Sequence, residues 1–271
     1  MDSNIGFVGA GNMAGAMVRA LVTRGVLDGG SIMAINKSNR PRMDALSQTY
    51  GITPALNLPS MLSRCPVIVI AVKPHQVVEA MQGVKDLLTR DHLVISVVAG
   101  AALDSLKALL GERPSIVRAM PNTPVQVSEG VVALTTTASV PDEKRALAED
   151  LFKAVGKVFW VEERLMDAIT ALSGSGPAYF YRLAEEMARA AERLGLDGEL
   201  AAELSRQTLV GAGSLLKQST RSVTELLNQV VSPNGTTEAA LKEMDAREFD
   251  LLIDEAMARA AERSRELGRR K

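Results

Sequence analysis

The sequence predicts a mostly parallel α/β sheet over residues 1–163, followed by an all-helical domain over residues 164–271, and three observations carry that fold class. Short β-branched runs alternate with helix-favouring stretches up to about Glu163, the pattern of a parallel sheet wrapped by helices. A glycine-rich turn, Gly9-Ala10-Gly11-Asn12-Met13-Ala14-Gly15, stands between the first such run and the first helical stretch. After Arg164 the β-branched runs stop and the chain becomes rich in Ala, Glu, Arg and Leu, which favour helix.

In order, the candidate strands are Ile5 to Val8, Ser31 to Ile35, Val67 to Val72, Leu93 to Val98, Ile116 to Ala119, Val131 to Thr135 and Val158 to Val161, with Ile52 to Leu56 as a weaker one. Several are apolar on both faces, as buried parallel strands require. The second part reads as five or six helices, punctuated by Gly174-Ser175-Gly176-Pro177, Gly195, Gly198 and Ser232-Pro233-Asn234-Gly235. Helices so rich in Ala and Leu, in so short a segment, call for a partner subunit over their apolar faces, and a homodimer through this half is the expectation.

With 46% hydrophobic residues in 271, the chain can fill a substantial core. Its 31 Lys and Arg against 32 Asp and Glu leave no positive excess to drive counterion release from a phosphate backbone, so nucleic acid is not an expected partner. No apolar stretch approaches the roughly 20 residues needed to span a bilayer, and the first residues carry no basic export-signal region; a cytoplasmic location off the membrane is expected. The one cysteine, Cys65, has Pro66, Val67 and Ile68 beside it and reads as an inert packing residue.

The turn after the first strand carries the first functional signal. Gly9 would permit the tight turn, and Gly11 would let the backbone approach a pyrophosphate whose charge meets the helix N-terminus; Ala14 replaces a third glycine. With Asn12 and Met13 these residues form the expected dinucleotide turn of a Rossmann-type domain. At the end of the second strand an NAD-preferring enzyme places Asp or Glu, whereas this chain has Asn36-Lys37-Ser38-Asn39-Arg40. No carboxylate stands there to repel a 2′-phosphate, so NADPH is favoured, with NADH as the other cofactor to consider. Ligands of open α/β sheets bind outside the carboxyl ends of strands, which adds Ala71, Val72, Lys73 and Pro74, then Val98, Ala99 and Gly100, to the cofactor set. Asn57 is a further cofactor-binding candidate. Lys73 either pairs with a phosphate or starts a helix in solvent. Ala99 and Gly100 either admit a flat ring or form a tight turn.

Five blocks in register carry a resemblance: Gly9-Ala10-Gly11-Asn12-Met13, Ala71-Val72-Lys73-Pro74, Met120-Pro121-Asn122-Thr123-Pro124, Leu172-Ser173-Gly174-Ser175-Gly176-Pro177-Ala178-Tyr179 and Ser232-Pro233-Asn234-Gly235-Thr236-Thr237. The chain resembles pyrroline-5-carboxylate reductase through nearly its whole length. That resemblance implies an N-terminal Rossmann domain, a helical domain that interlocks with a second subunit to give a dimer or a multiple of dimers, and a site shared between the domains. It also implies NADPH-dependent reduction of 1-pyrroline-5-carboxylate to L-proline, the final step of proline synthesis. The substrate set it implies is Asn122, Ser175, Ser232, Gly235, Thr236 and Thr237, with Thr237 at the position that contacts the imine nitrogen and so the candidate catalytic residue.

Local chemistry leaves each block a second reading. Two prolines around Asn122 and Thr123 fix a rigid loop at the ligand edge of the sheet, or serve only as a turn. Ser173 to Pro177 is a glycine-rich helix start that admits a ligand or allows close packing. Asn234-Gly235 makes a tight turn before a helix from Glu238 to Met244, where Thr236 and Thr237 add hydroxyl donors to free amides or act as an ordinary N-cap. The family commonly has two glycines in place of Asn234-Gly235 and a Glu-His-Pro-like stretch in place of Arg221-Ser222-Val223. The second departure removes a carboxylate, so a related cyclic imine acid stays open as substrate. No metal is required, and neither His75 nor His92 sits in a block that argues for acid–base work. A 3-hydroxyacid dehydrogenase of the same two-domain plan would place a catalytic Lys in the helical part, where only Lys217 and Lys242 are candidates; a cofactor-binding sensor or a structural assembly protein would not keep both later blocks.

Overall fold

A computed structural model describes residues 4–37 and 39–269. Eight strands form one sheet: β1 (Ile5–Val8), β2 (Ile32–Ile35), β3 (Thr53–Pro54), β4 (Val67–Ile70), β5 (Leu93–Ser96), β6 (Ser115–Pro121), β7 (Gly130–Thr136) and β8 (Gly156–Trp160), in the order β3-β2-β1-β4-β5-β6-β7-β8. All pairings are parallel except β6 with β7. The expected strands are present, and the weak one shrinks to Thr53–Pro54, where Pro54 takes an edge position that needs no ladder donor. Helices α1 (Asn12–Thr23), α2 (Arg40–Tyr50), α3 (Leu58–Leu62), α4 (Val77–Ala80), α5 (Leu103–Leu110) and α6 (Asp142–Lys153) connect them, and α7 (Met166–Ile169) follows β8.

Strand side chains alternate between two apolar layers. Val67 and Val69 join Phe7, Met17, Leu21 and Phe152 on one face, while Ile68 and Ile70 join Met81, Leu88 and Leu110 on the other. Because β1, β4 and β5 are buried on both faces, their sequences are continuously apolar. Each large side chain so buried contributes about 1.5–3 kcal/mol. The sheet order reverses between β1 and β4, which opens a crevice above their carboxyl ends.

The chain folds into two compact units. The sheet unit runs to Gly174 and takes back the segment from Ala260 onward; the helical unit is Ser175–Arg259. A π-helical segment, Thr170–Gly174, closes the first stretch of the sheet unit. From there the chain enters α8 (Gly176–Arg193), α9 (Gly198–Gln218), α10 (Val223–Val230), α11 (Thr236–Ala246) and α12 (Phe249–Arg269). Gly195 takes φ +99° just past α8, and Asp197 caps α9 by accepting from the amides of Glu199 and Leu200 at 3.0 and 3.2 Å. Ser205 of α9 donates its hydroxyl to the carbonyl of Ala184 in α8 at 2.6 Å. No described helix is long and apolar enough to cross a membrane.

Candidate active site

The dinucleotide turn has the geometry its glycines predict. Gly9 sits at φ +101°, and a Cβ there would lie 2.6 Å from the carbonyl oxygen of Ala71, so both the backbone conformation and the neighbouring strand end require glycine. Its amide donates to Ile35 O at 2.8 Å, while Ala71 N donates to Val8 O at 2.8 Å, which ties β1, β2 and β4 together at the crevice. Gly11 is the N-cap of α1, carries no side-chain cap, and would put a Cβ no nearer than 4.0 Å to Ala71 O. The first turn of α1 holds no acidic residue, so the helix start offers open backbone and free amide donors, a fit for a pyrophosphate. Ala14 is buried at the third motif position, and beside it a Cβ on Gly15 would lie 2.8 Å from Arg42 Nη2. Arg42 Nε donates to the carbonyl of Ala10 at 3.2 Å. Sequence reasoning missed this arginine, since no local motif says that the start of α2 reaches back to the first turn.

The loop after β2 holds the residues expected at the adenosine end. Asn36 is half-buried, Lys37 is exposed, and Asn39 caps α2 by accepting from Arg42 N at 3.1 Å. Ser38 lies outside the described residues. Sequence inspection found no carboxylate at this strand end, but the fold supplies one: Lys37 forms an ion pair with Glu79 of α4. The strand order brings the two together from 42 residues apart, because β2 and β4 flank β1. Each raises the other's tendency to stay charged: Glu79 pushes the Lys37 ammonium above its ordinary pKa, and Lys37 holds the Glu79 carboxyl below its own.

The remaining cofactor candidates divide by role. Ala71 and Val72 are half-buried beside the glycine turn, and Lys73 is exposed at the head of a 3₁₀ turn, Pro74–Gln76. Asn57 caps α3, accepting from Ser60 N at 2.8 Å. Val98 is buried, and Gly100 has φ +77°. A Cβ on Gly100 would lie 2.9 Å from Gly268 N of α12, so the chain's own last helix approaches this turn closely. A cleft of about 370 Å³ between α1 and α2 shares Asn12 with this set and is lined also by Arg19, Arg42 and Tyr50.

Asn122, expected at the substrate, is 7% exposed and committed to structure. Its Oδ1 accepts from Val131 N at 2.9 Å and its Nδ2 donates to Ser173 O at 3.0 Å. The side chain therefore clamps the loop after β6 to the π-helical segment. Of the buried titratable groups in the sheet unit, Arg118 pairs with Glu163 at 3.3 Å, and the His92 ring is held between Thr89 and the carbonyl of Leu62. Burial pushes the Cys65 thiol up to about 11, which keeps it protonated and inert.

In the helical unit, Ser175 precedes α8 without capping it by side chain. Asn234 takes φ +58°, the left-handed geometry Asn tolerates, and Gly235 packs so tightly over Ser232 that a Cβ would lie 2.3 Å from its Oγ. The N-cap of α11 is Gly235, so the helix begins two residues earlier than expected and neither threonine is the cap. Thr236 and Thr237 instead occupy its first turn, Thr237 half-buried. Glu238, in the first turn of α11, accepts from Asn234 N at 2.6 Å and pairs with Lys242 Nζ at 3.1 Å. Arg221-Ser222-Val223 is a helix start: Ser222 forms a reciprocal capping box with Glu225, and bonds from Ser222 hold the Glu225 carboxyl below its ordinary pKa.

Two known family models match parts of the chain. Residues 4–100 match the family model described as NADP oxidoreductase coenzyme F420-dependent, and residues 163–267 match pyrroline-5-carboxylate reductase dimerisation. The chain is 37% identical over 264 residues to the pyrroline-5-carboxylate reductase of Pseudomonas aeruginosa, covering 97% of this chain and 96% of that protein. A solved pyrroline-5-carboxylate reductase from Coxiella burnetii superposes with TM-score 0.91 at 38% identity, covering 99% of this chain and 100% of the other. The Plasmodium falciparum pyrroline carboxylate reductase, solved with NADP bound, superposes with TM-score 0.87 at 28% identity and covers 98% of each chain.

Proposed function

The chain belongs to the pyrroline-5-carboxylate reductase family, and from that premise we propose that it reduces 1-pyrroline-5-carboxylate to L-proline with NADPH by hydride transfer to a cyclic imine. The observation that supports it most directly is the open, acid-free N-terminus of α1 behind Gly9 and Gly11 in the sheet unit; in the helical unit, α11 starts with Thr236 and Thr237 in its first turn. The first suits the cofactor's pyrophosphate and the second a small carboxylate. When bound, NADPH supplies the hydride.

This chain's own residues orient and donate. In this reading the first-turn amides of α11 hold the substrate carboxylate, and Thr237 donates its hydroxyl toward the ring nitrogen. Ser232, Gly235 and Thr236 shape that turn, and Ser175 lines the start of α8. Asn122 contributes through the loop it clamps. Gly9 to Ala14, Asn36, Lys37, Asn57, Ala71 to Pro74 and Val98 to Gly100 form the cofactor side, joined by Ser38, which follows Lys37 in the sequence. Residues 1–163 serve the cofactor, and residues 164–271 serve substrate and self-association.

The helical unit's exposed apolar side chains support a homodimer or a multiple of it, in line with the dimerisation model that matches there. The balanced charge supports a small-molecule substrate over nucleic acid, and the unpaired, buried Cys65 suits a reducing cytoplasm. The test is NADPH consumption with 1-pyrroline-5-carboxylate beside 3-hydroxyacids. Turnover with the imine and none with the hydroxyacids is expected; the reverse would overturn the assignment.

A further inference from the structure

The ion pair between Lys37 and Glu79 spans the crevice above β1, since Lys37 follows β2, Glu79 stands on α4 after β4, and β1 lies between those strands. Adenosine of a dinucleotide must enter beside this pair, because its pyrophosphate belongs at the Gly9–Gly11 turn below. Lys37 is the cation nearest in sequence to the strand end that reads a 2′-phosphate, and in the described structure it is already neutralised. A 2′-phosphate that takes that ammonium does so in competition with the carboxylate already on it.

We propose that Glu79 is a specificity-determining residue that acts through Lys37: it is the resident counter-ion which the 2′-phosphate of NADPH displaces, and it thereby sets the margin by which NADPH is preferred over NADH. This rests on the NADPH assignment proposed above. NADH carries a 2′-hydroxyl, leaves the pair intact and binds without that exchange. Glu79 therefore lowers NADPH affinity while sparing NADH, so the cofactor preference is held below what Lys37 alone would give. The side chains are 85% and 61% exposed, which means solvent screens the pair strongly and the effect is modest.

The experiment is a fluorescence titration of each cofactor in the absence of imine, on the parent, Glu79→Gln, Lys37→Met and the double variant. Glu79→Gln should tighten NADPH by about two- to fivefold, the range an exposed ion pair supports, and leave NADH unchanged. In the Lys37→Met background the same change should have no effect on NADPH. Equal shifts for both cofactors, or a gain that persists without Lys37, overturn the proposal. Two failures are separable. If Lys37→Met weakens NADPH but Glu79→Gln does not tighten it, the counter-ion role falls and the 2′-phosphate assignment stands. If Lys37→Met leaves NADPH unchanged, that assignment falls and the counter-ion role with it. Raising salt in the titration gives a second readout, since screening should shrink the Glu79→Gln gain.

Discussion

The sheet unit buries its apolar side chains within one chain, whereas the helical unit exposes most of its own. Phe7, Met17, Ile68, Ile70 and Phe152 are all fully enclosed, while Phe180, Tyr181, Met187, Leu204, Leu215 and Leu252 are each close to half exposed or more. Among the described residues of the helical unit, Ala201 is the one buried apolar side chain. Both units obey the same rule of burying apolar surface, but the first completes its core by folding and the second only by association. The sheet unit's core is thus complete within the single chain, while the apolar side chains of the helical unit are left for a partner surface to cover.

The most drastic way to break that contrast is to place charge on the exposed face of α9. Leu204→Glu combined with Leu215→Glu should abolish assembly and unfold the helical unit, seen as a monomer by sedimentation and as early proteolysis between 175 and 259. A fully active dimer from this variant would mean that the face is not the interface. The counterpart in the sheet unit is Phe152→Ala, which should cost about 3–5 kcal/mol of stability and leave the assembly state unchanged at concentrations where the protein stays folded. Thermal unfolding read with sedimentation distinguishes the two variants.

Smaller changes sharpen the comparison at the level of chemistry. Thr237→Val keeps the shape of a first-turn residue and removes a donor. Hydride transfer in single turnover should fall by less than the roughly hundredfold to thousandfold seen where a full oxyanion loses a donor, with NADPH affinity unchanged. Since Gly235 is the N-cap, melting temperature should hardly move; unaltered hydride transfer would remove Thr237 from the mechanism. Arg42→Met in the sheet unit should do the opposite, weakening NADPH by about threefold to tenfold through loss of its bond to Ala10 O while leaving the rate at saturating cofactor intact. A rate loss at saturation would show that Arg42 does more than brace the turn.

These residues also mark what can be read in the sequence. The alternation of strands and helices and the glycine turn are visible because each is a local pattern with a local cause. Gly9 illustrates this: a glycine between strand and helix announces its own conformation. Arg42, Glu79 and the clamp at Asn122 are not visible, because each depends on which strand lies beside which, over 32, 42 and 51 residues of chain. Gly100 is legible as a glycine that something approaches closely, yet its neighbour Gly268 belongs to a helix whose return to the sheet unit no periodicity foretells. The N-cap of α11 escapes the sequence for a subtler reason. Threonine caps so often that it masks Gly235, whose extended backbone at ψ 172° takes the position instead.

The pair formed by Gly100 and Gly268 has a consequence for how this chain can drift. A Cβ on Gly268 would lie 2.5 Å from Gly100 O, and one on Gly100 would strike Gly268 N, so a side chain has no room on either side. Neither position can accept a larger residue by itself, and a mutation at one cannot be rescued by shrinking the other, which is already minimal. Gly268, far along the chain from the loop after β5, is therefore tied to that loop by one shared steric constraint, and a side chain at that point of α12 must move the loop.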